Sequence, residues 1–228
     1  MPARPAPAND TDAASRMLQA AAGLYAEKGI GKVSLRELTA RAGVNLAAVS
    51  YHFGSKDGLA EAVFETLSRR VNGKRIADLD AYLAGLGTRR PALDEVLSLF
   101  VAPYLETGNE QQGVLLARFI VQHRLEPSAL TRKVIRKHFD PMAKRFIAAL
   151  ALACPHLEVR DISWRYLFTV SAVVLTLTDT TKNNRIARLS GGKADTSRTD
   201  ELRVALLDFL RGGIWGDAPS ANGSRRRR

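Results

Sequence analysis

Apolar residues return at three- and four-residue steps along most of the chain, and that period predicts helices. Met17, Leu18, Ala21, Leu24 and Tyr25 mark a first helix over about 12–29, with Thr11 or Asp12 as its cap and Gly29 at its end. Leu35, Leu38 and Ala42 form the inner face of a short second helix. Ser34 caps it, and Glu37 three residues on completes a capping box. Gly43 supplies a turn, since glycine enters the left-handed region without a Cβ penalty, and Val44 is the buried anchor of that turn. Asn45 caps a third helix, roughly 46–52, with Leu46 and Val49 toward the core.

Beyond Gly54 and Ser55 a long helix opens at Lys56 and runs to about residue 86. Leu59, Val63, Leu67 and Val71 are its apolar steps, and Gly73 is a place to bend. Pro91 suits the first turn of a helix at about 92–106. The period returns over 110–125, 128–153, 158–189 and 199–211, and Pro141 should kink or divide the second of these. Alternation with period two is scarce. VSAVVLTLTDTT, 170–181, is rich in β-branched residues, but Trp164, Leu167, Phe168, Ser171, Val174, Leu175 and Thr178 keep helical spacing into and through it. The chain is therefore read as all-α. The expected organisation is a tail at 1–10, a three-helix helix-turn-helix domain at 11–55, a helical regulatory and dimerisation domain at 56–216, and a basic tail at 217–228. Both tails lack an apolar pattern and read as disordered.

The 228 residues allow one large domain or two modest ones. The formal charge of +11 suits a polyanionic partner such as nucleic acid. It is spread evenly, however. Residues 1–75 hold 11 basic and 7 acidic side chains, 76–190 hold 15 and 11, and 191–228 hold 8 and 5. Charge alone does not locate the partner's site. Cys154 is the single cysteine, so an intramolecular disulfide and a cysteine zinc site are both excluded. No apolar run is long enough to span a bilayer, and MPARPAPANDTDAAS lacks a signal-peptide core. The expectation is a cytoplasmic protein that is not an enzyme and needs no cofactor or metal. It has no Gly-rich phosphate loop following a strand, no G-x-S-x-G and no H-E-x-x-H.

Residues 34–59, SLRELTARAGVNLAAVSYHFGSKDGL, place two short helices around a glycine turn within about 20 residues. A DNA-binding helix-turn-helix needs such a pair to set the start of its second helix in a major groove. With its flanks, this stretch resembles the DNA-binding region of the Tet repressor (TetR) family of transcription regulators. The resemblance covers about residues 12–70. It rests on AGV at the turn, YHF at the end of the recognition helix and K-x-x-L opening the next helix. It implies a homodimer with an all-α ligand-binding C-terminal domain and a double-stranded palindromic DNA operator as partner. VNLAAVSYHFGSKDGL also resembles the branch whose members answer to fatty acids or acyl-CoA thioesters.

Candidate DNA-binding residues are Ser34, Arg36, Asn45, Ala47, Ala48, Ser50, Tyr51, His52 and Lys56. Ser34 sits where free backbone N–H groups can hold a phosphate, or is simply a cap. Arg36 can reach a base edge, where Arg reading guanine is the commonest specific contact, or a phosphate. Asn45, Ala47, Ala48 and Ser50 are small or polar, so their helix can sit deep in a groove. Many family members carry Tyr at the place of Ser50. Here Tyr51 can supply that backbone contact instead. The resemblance assigns His52 and Lys56 to phosphates, contacts that add affinity without sequence information. Phe53 is read as core. Arg4 and Arg16 could lie along DNA as an arm, or belong to a frayed tail.

In the C-terminal half, Phe100, Leu116, Phe119, His123, Phe139, Met142, Phe146, Trp164 and Phe168 are candidates to line a ligand pocket, or to fill a core. Arg118, His123 and Arg124 share a helix and offer a cation for an anionic head group, or are simply solvated or ion-paired side chains. Leu175, Leu202, Leu206, Phe209 and Leu210 are candidates for a dimer interface of two helices from each chain. The expected function is a homodimeric repressor released from DNA by a small-molecule effector, with a fatty acid or acyl-CoA as one class. A regulator without a ligand, and a nonspecific nucleoid-type DNA binder using Arg225–Arg228, stand as alternatives.

Overall fold

A computed structural model describes residues 8–105, 110–179 and 184–216. The described residues form helices and turns, without a strand, including the β-branched stretch up to Asp179. Residues 1–7 and 217–228, with Arg4 and the Arg225–Arg228 tail, lie outside the described residues, as do Thr180 and Lys182.

α1 spans Ala8–Lys28, so it starts inside the stretch expected as a tail. α2 (Leu35–Ala42) and α3 (Leu46–Phe53) follow. Ser34 Oγ accepts from the Glu37 N–H at 3.2 Å, and Asn45 Oδ1 from the Ala48 N–H at 2.9 Å. The Ser34 half of the expected capping box forms, and the Glu37 carboxylate pairs with Lys28 of α1. That ammonium first, then the Ser34 backbone N–H and the Arg41 charge, hold the Glu37 carboxyl below its ordinary pKa. Gly43 occupies the left-handed region with φ 64°, as the turn requires.

α4, Lys56–Leu86, is unbroken, so Gly73 does not interrupt it. Its first half packs under α1 and α3, and its second half packs on α5 (Leu93–Leu105) and α8 (Asp140–Ala153). One helix thus belongs to both halves of the molecule. Pro91 sits just ahead of α5, outside its first turn. α6 spans Glu110–Leu125 and α7 Ala129–Val134. The predicted 128–153 helix is divided ahead of Pro141. Residues Ile135–Phe139 form a π-turn before α8, because proline cannot donate to the preceding carbonyls.

The predicted helix over 158–189 ends early. α9 is Val159–Thr178 and α10 is a separate five-residue helix, Arg185–Leu189. Asp179 accounts for the second start, since its carboxylate accepts from the Arg185 and Ile186 N–H groups at 3.3 and 3.2 Å. α11, Thr199–Trp215, closes the fold against α5 and α9.

One continuous apolar core runs from Met17 to Ile214. Phe119 of α6 joins the two halves, stacked on Phe64 of α4 at 5.2 Å and edge-on to Tyr25 of α1 at 6.5 Å. Polar ties reinforce the seam. Arg118 of α6 donates to the Ala26 carbonyl near the end of α1 at 3.2 Å, and Ser128 Oγ donates to Glu61 of α4 at 2.8 Å. Burial, with a smaller contribution from Asp57, pushes the Tyr25 hydroxyl up to about 12. It therefore stays neutral inside the seam.

Candidate nucleic-acid interface

Each of the three helices α2, α3 and α4 is opened by a short polar cap. Ser34 opens α2, Asn45 opens α3, and Ser55 opens α4 by accepting from the Gly58 N–H at 3.0 Å. Such ends present unpaired backbone N–H groups and the positive pole of the helix dipole. Lys56 is the first residue of α4 and is half-buried. Arg36, in the first turn of α2, is exposed.

On α3 the exposed positions are Leu46, Ala47, Ser50 and Tyr51, spaced i, i+1, i+4 and i+5, and so on one face. Val49 is buried on the opposite side. Ala48 and His52 are half-buried flanks of the outer face. The expectation for Leu46 is corrected: its side chain is 57% exposed, not in the core. The first residue of α3 lies beyond the point where α1 covers the helix, and periodicity alone does not show where cover ends. Val44 and Phe53 are half-buried and packed on the core edge rather than inside it.

Tyr51 is the most exposed aromatic of the face at 75%, its ring edge-on to His52 at 4.9 Å. No acidic residue occurs in α3, so nothing on its outer face repels an anion. Arg16 of α1 lies beside Gly43, with its guanidinium also near Asp12 at 3.4 Å. Asn45, Ala47, Ala48, Tyr51 and His52 of the predicted set line one shallow depression with Gly43 and Arg16, and Ser50 shares the exposed face of α3. Leu46 joins that face.

The position of α3 depends on one close approach. A Cβ on Gly58 would stand 2.0 Å from the Phe53 carbonyl oxygen, backbone that cannot swing aside. Gly58→Ala is therefore expected to wedge α3 off α4 at a cost of about 1–3 kcal/mol. A lower midpoint in a thermal melt, with at least a roughly tenfold loss of DNA affinity, is the predicted result. Gly73→Ala is the control. Nothing lies within 4 Å of its added methyl, and mid-helix alanine is favourable by up to about 1 kcal/mol. Equal melting points for the two variants would contradict the assignment.

The C-terminal candidates divide in two. Phe100, Leu116, Phe119, Met142 and Phe146 are buried together, and Phe139 is half-buried beside them. Trp164 and Phe168 are corrected: they are 55% and 61% exposed and stack on each other at 6.2 Å on the outside of α9. They do not line an interior pocket, because the inner face of α9 is carried by Ile162, Thr169, Val173 and Leu177. His123 turns its Nδ1 to Thr131 Oγ1 at 2.7 Å. Burial, then Arg124 and Arg132, keep its pKa low, so it is a neutral imidazole and a poor anchor for an anion. Arg118 is committed to the Ala26 carbonyl, and Arg124 is exposed.

The dimer candidates also divide. Leu206 and Leu210 are buried within the chain and Leu202 is half-buried, so they hold α11 to its own subunit. Leu175 and Phe209 are both 68% exposed. Among the described residues no helix is long and apolar enough to cross a membrane, and no cluster of three His, Cys, Asp or Glu side chains could hold a metal. Sequence reasoning missed three polar residues of α4, Ser68, Asn72 and Arg75, which lie fully buried in the C-terminal core.

A capped helix-turn-helix with one continuous outer face, carried on a larger helical domain, is the architecture of a two-domain helix-turn-helix regulator. Residues 17–63 match the family of bacterial regulatory proteins called tetR, and residues 98–213 match the tetracyclin repressor-like C-terminal domain. The chain belongs to the TetR family of transcriptional regulators.

It is 40% identical over 68 residues to the HTH-type transcriptional repressor Rv3405c of Mycobacterium tuberculosis, a stretch that is 30% of this chain and 36% of that protein. The chain thus matches about a third of the length of that relative. Among solved structures, a transcriptional regulator from Rhodococcus sp. Rha1 superposes with a TM-score of 0.60 at 19% identity, covering 90% of this chain and 99% of the other. A TetR-like transcriptional regulator from Rhodococcus sp. RHA1 gives 0.56 at 18%, covering 93% and 97%. Likeness at these identities concerns the fold.

Proposed function

We propose that the protein is a repressor that binds a palindromic operator as a homodimer and leaves it when a small molecule occupies the C-terminal domain. The observation that carries this reading is the outer face of α3. Leu46, Ala47, Ser50 and Tyr51 stand clear of the core on one face of the helix. Asn45, Ala47, Ala48 and Ser50 meet base edges, and Leu46 adds an apolar surface for a thymine methyl. Arg36 reads a base beside them. Ser34, Tyr51, His52 and Lys56 hold phosphates on either side.

Dimerisation is supported by the outer surface of α9 and α11. Trp164, Phe168 and Leu175 share one outer face of α9 and, like Phe209 of α11, are each more than half exposed, apolar surface that a monomer in water rarely leaves open. A two-fold pairing of these helices sets two α3 helices for two half-sites. A fatty acid or acyl-CoA remains one effector class, resting on the short resemblance in α3.

Selection from a random double-stranded DNA pool tests the reading. An inverted repeat should be enriched, bound at physiological salt about a thousandfold or more tighter than scrambled DNA. Enrichment of no sequence, or affinities within tenfold of each other, would point to the nonspecific binder instead.

A further inference from the structure

We infer that Ser68, Asn72 and Arg75 form the head-group site for an organic carboxylate in the regulatory domain. The inference deepens the effector part of the proposed function and rests on that reading. The three residues follow one another at i, i+4 and i+7, so they form a stripe along one face of α4. All three are at most 1% exposed. Each has a polar atom without a hydrogen-bond partner: Ser68 Oγ, Asn72 Nδ2 and Arg75 Nη2. The amide of Asn72 is oriented by its oxygen, which accepts from Arg75 Nη1 at 2.9 Å and leaves the NH2 pointing onward.

The guanidinium of Arg75 is committed everywhere but at one corner. Its Nε donates to the Phe100 carbonyl at 3.0 Å. The Phe100 and Tyr104 rings lie 4.9 and 4.1 Å from its centre, so its faces meet π-clouds. Nη2 alone remains open. No carboxylate among the described residues pairs with Arg75. A buried guanidinium lacking a counter-ion is costly, and every orphaned group beside it can donate. What the stripe needs is a negatively charged acceptor with two oxygens. A carboxylate fits, one oxygen on Arg75 Nη2 and the other on Asn72 Nδ2, with Ser68 Oγ donating to either.

The neighbours set the rest of the ligand. Phe100 packs edge-on against Phe146 at 5.2 Å and Tyr166 at 5.9 Å, so the body attached to the carboxylate meets rings and must be apolar. Tyr166 has only the Met142 sulfur, at 3.9 Å, as a partner for its hydroxyl. Burial raises its pKa far above the ordinary range, so it stays a neutral donor.

The site also touches the element that reports to the DNA-binding end. Tyr104 lies in the last turn of α5, just after Pro103, which has no N–H for the preceding turn. A Cβ on Gly113 of α6 would stand 2.2 Å from the Tyr104 carbonyl, so α5 and α6 touch here without slack. Five residues further along α6, Arg118 grips the end of α1. A carboxylate that displaces Tyr104 from Arg75 pushes α6 and, through Arg118, α1. The shift in DNA affinity equals the ligand's preference for that displaced state.

The test uses the full chain with octanoate, palmitate and phenylacetate, and the neutral octanamide and phenylacetamide as controls. Thermal unfolding and calorimetry are read without DNA. At a concentration about a hundred times its Kd, at least one carboxylate should raise Tm by roughly 5–10 °C, while its amide does not. Arg75→Met should weaken that carboxylate about 10- to 100-fold. If Arg75→Met does not fold, Asn72→Leu and Ser68→Ala are measured instead, each with a loss of several-fold. Failure of all three carboxylates to bind, or binding unchanged in the variants that fold, overturns the site. The selection from random DNA is read separately. A chain that binds a carboxylate through Arg75 yet selects no DNA refutes the repressor reading alone, and a chain that selects an operator but binds no carboxylate refutes the head-group site alone.

Discussion

Arg36→Ala lowers affinity for the selected operator by about 1–3 kcal/mol and flattens the preference at one base pair, while Lys56→Ala weakens every DNA sequence alike. The contrast follows from where the two cations stand. Arg36 is exposed in the first turn of α2, and its planar fork matches the two acceptors of a guanine edge. Its loss leaves scrambled DNA nearly untouched. Lys56 begins α4 next to the Ser55 cap, where its compact charge adds to the helix dipole. That combination suits a phosphate, which is the same in every sequence. Removing one phosphate contact should reduce the slope of log affinity against log salt by about one. Anisotropy titrations over a salt series, with the operator and its single-base variants, separate the two roles. If both variants track the parent protein on every duplex, the interface has been assigned to the wrong side chains.

Phe168→Glu yields a monomer and costs the operator about a hundredfold or more in affinity. Phe168 stacks on Trp164 outside α9, and both rings are more than half exposed within one chain. Buried aromatic anchors dominate interfaces, and truncating one commonly costs 2 kcal/mol or more. A carboxylate in its place adds an unpaired charge to an apolar contact. A monomer reaches only one half-site and loses the effective concentration that joins two. Sedimentation and band-shift measurements read both effects. Leu206→Ala gives the opposite pattern, because Leu206 is buried inside its own subunit. It should lower the melting point, with a cost of about 2–5 kcal/mol, before it changes association. A Phe168→Glu protein that still sediments as a dimer would move the interface elsewhere.

Much of this was readable from spacing and caps. Ser34, Asn45 and Ser55 sit where local chemistry demands an N-cap, and Gly43 where only a left-handed turn closes the motif. Caps and glycine turns act over four residues, so their signal survives without knowledge of the fold. Leu46 was misread because a helix start can be apolar and still uncovered. Trp164 and Phe168 share helical spacing with residues of the inner face, and a helix apolar on two sides does not say which side its own chain covers. Arg75 lies among Arg69, Arg70 and Lys74, all three of them exposed. Nothing local marks the fourth as buried.

The amino-acid sequence by itself determined most of the helices, the helix-turn-helix and, Leu46 apart, the side chains exposed on the outer face of α3. Those depend on contacts between near neighbours, whose spacing is written directly in the chain. The tertiary structure alone decided which apolar faces stay open for a partner, that Arg118 ties α6 to α1, and that Arg75 lies unpaired among aromatic rings. These depend on groups up to 92 residues apart that meet only when α1, α4, α5, α6 and α9 pack together, and burial is a property of that packing.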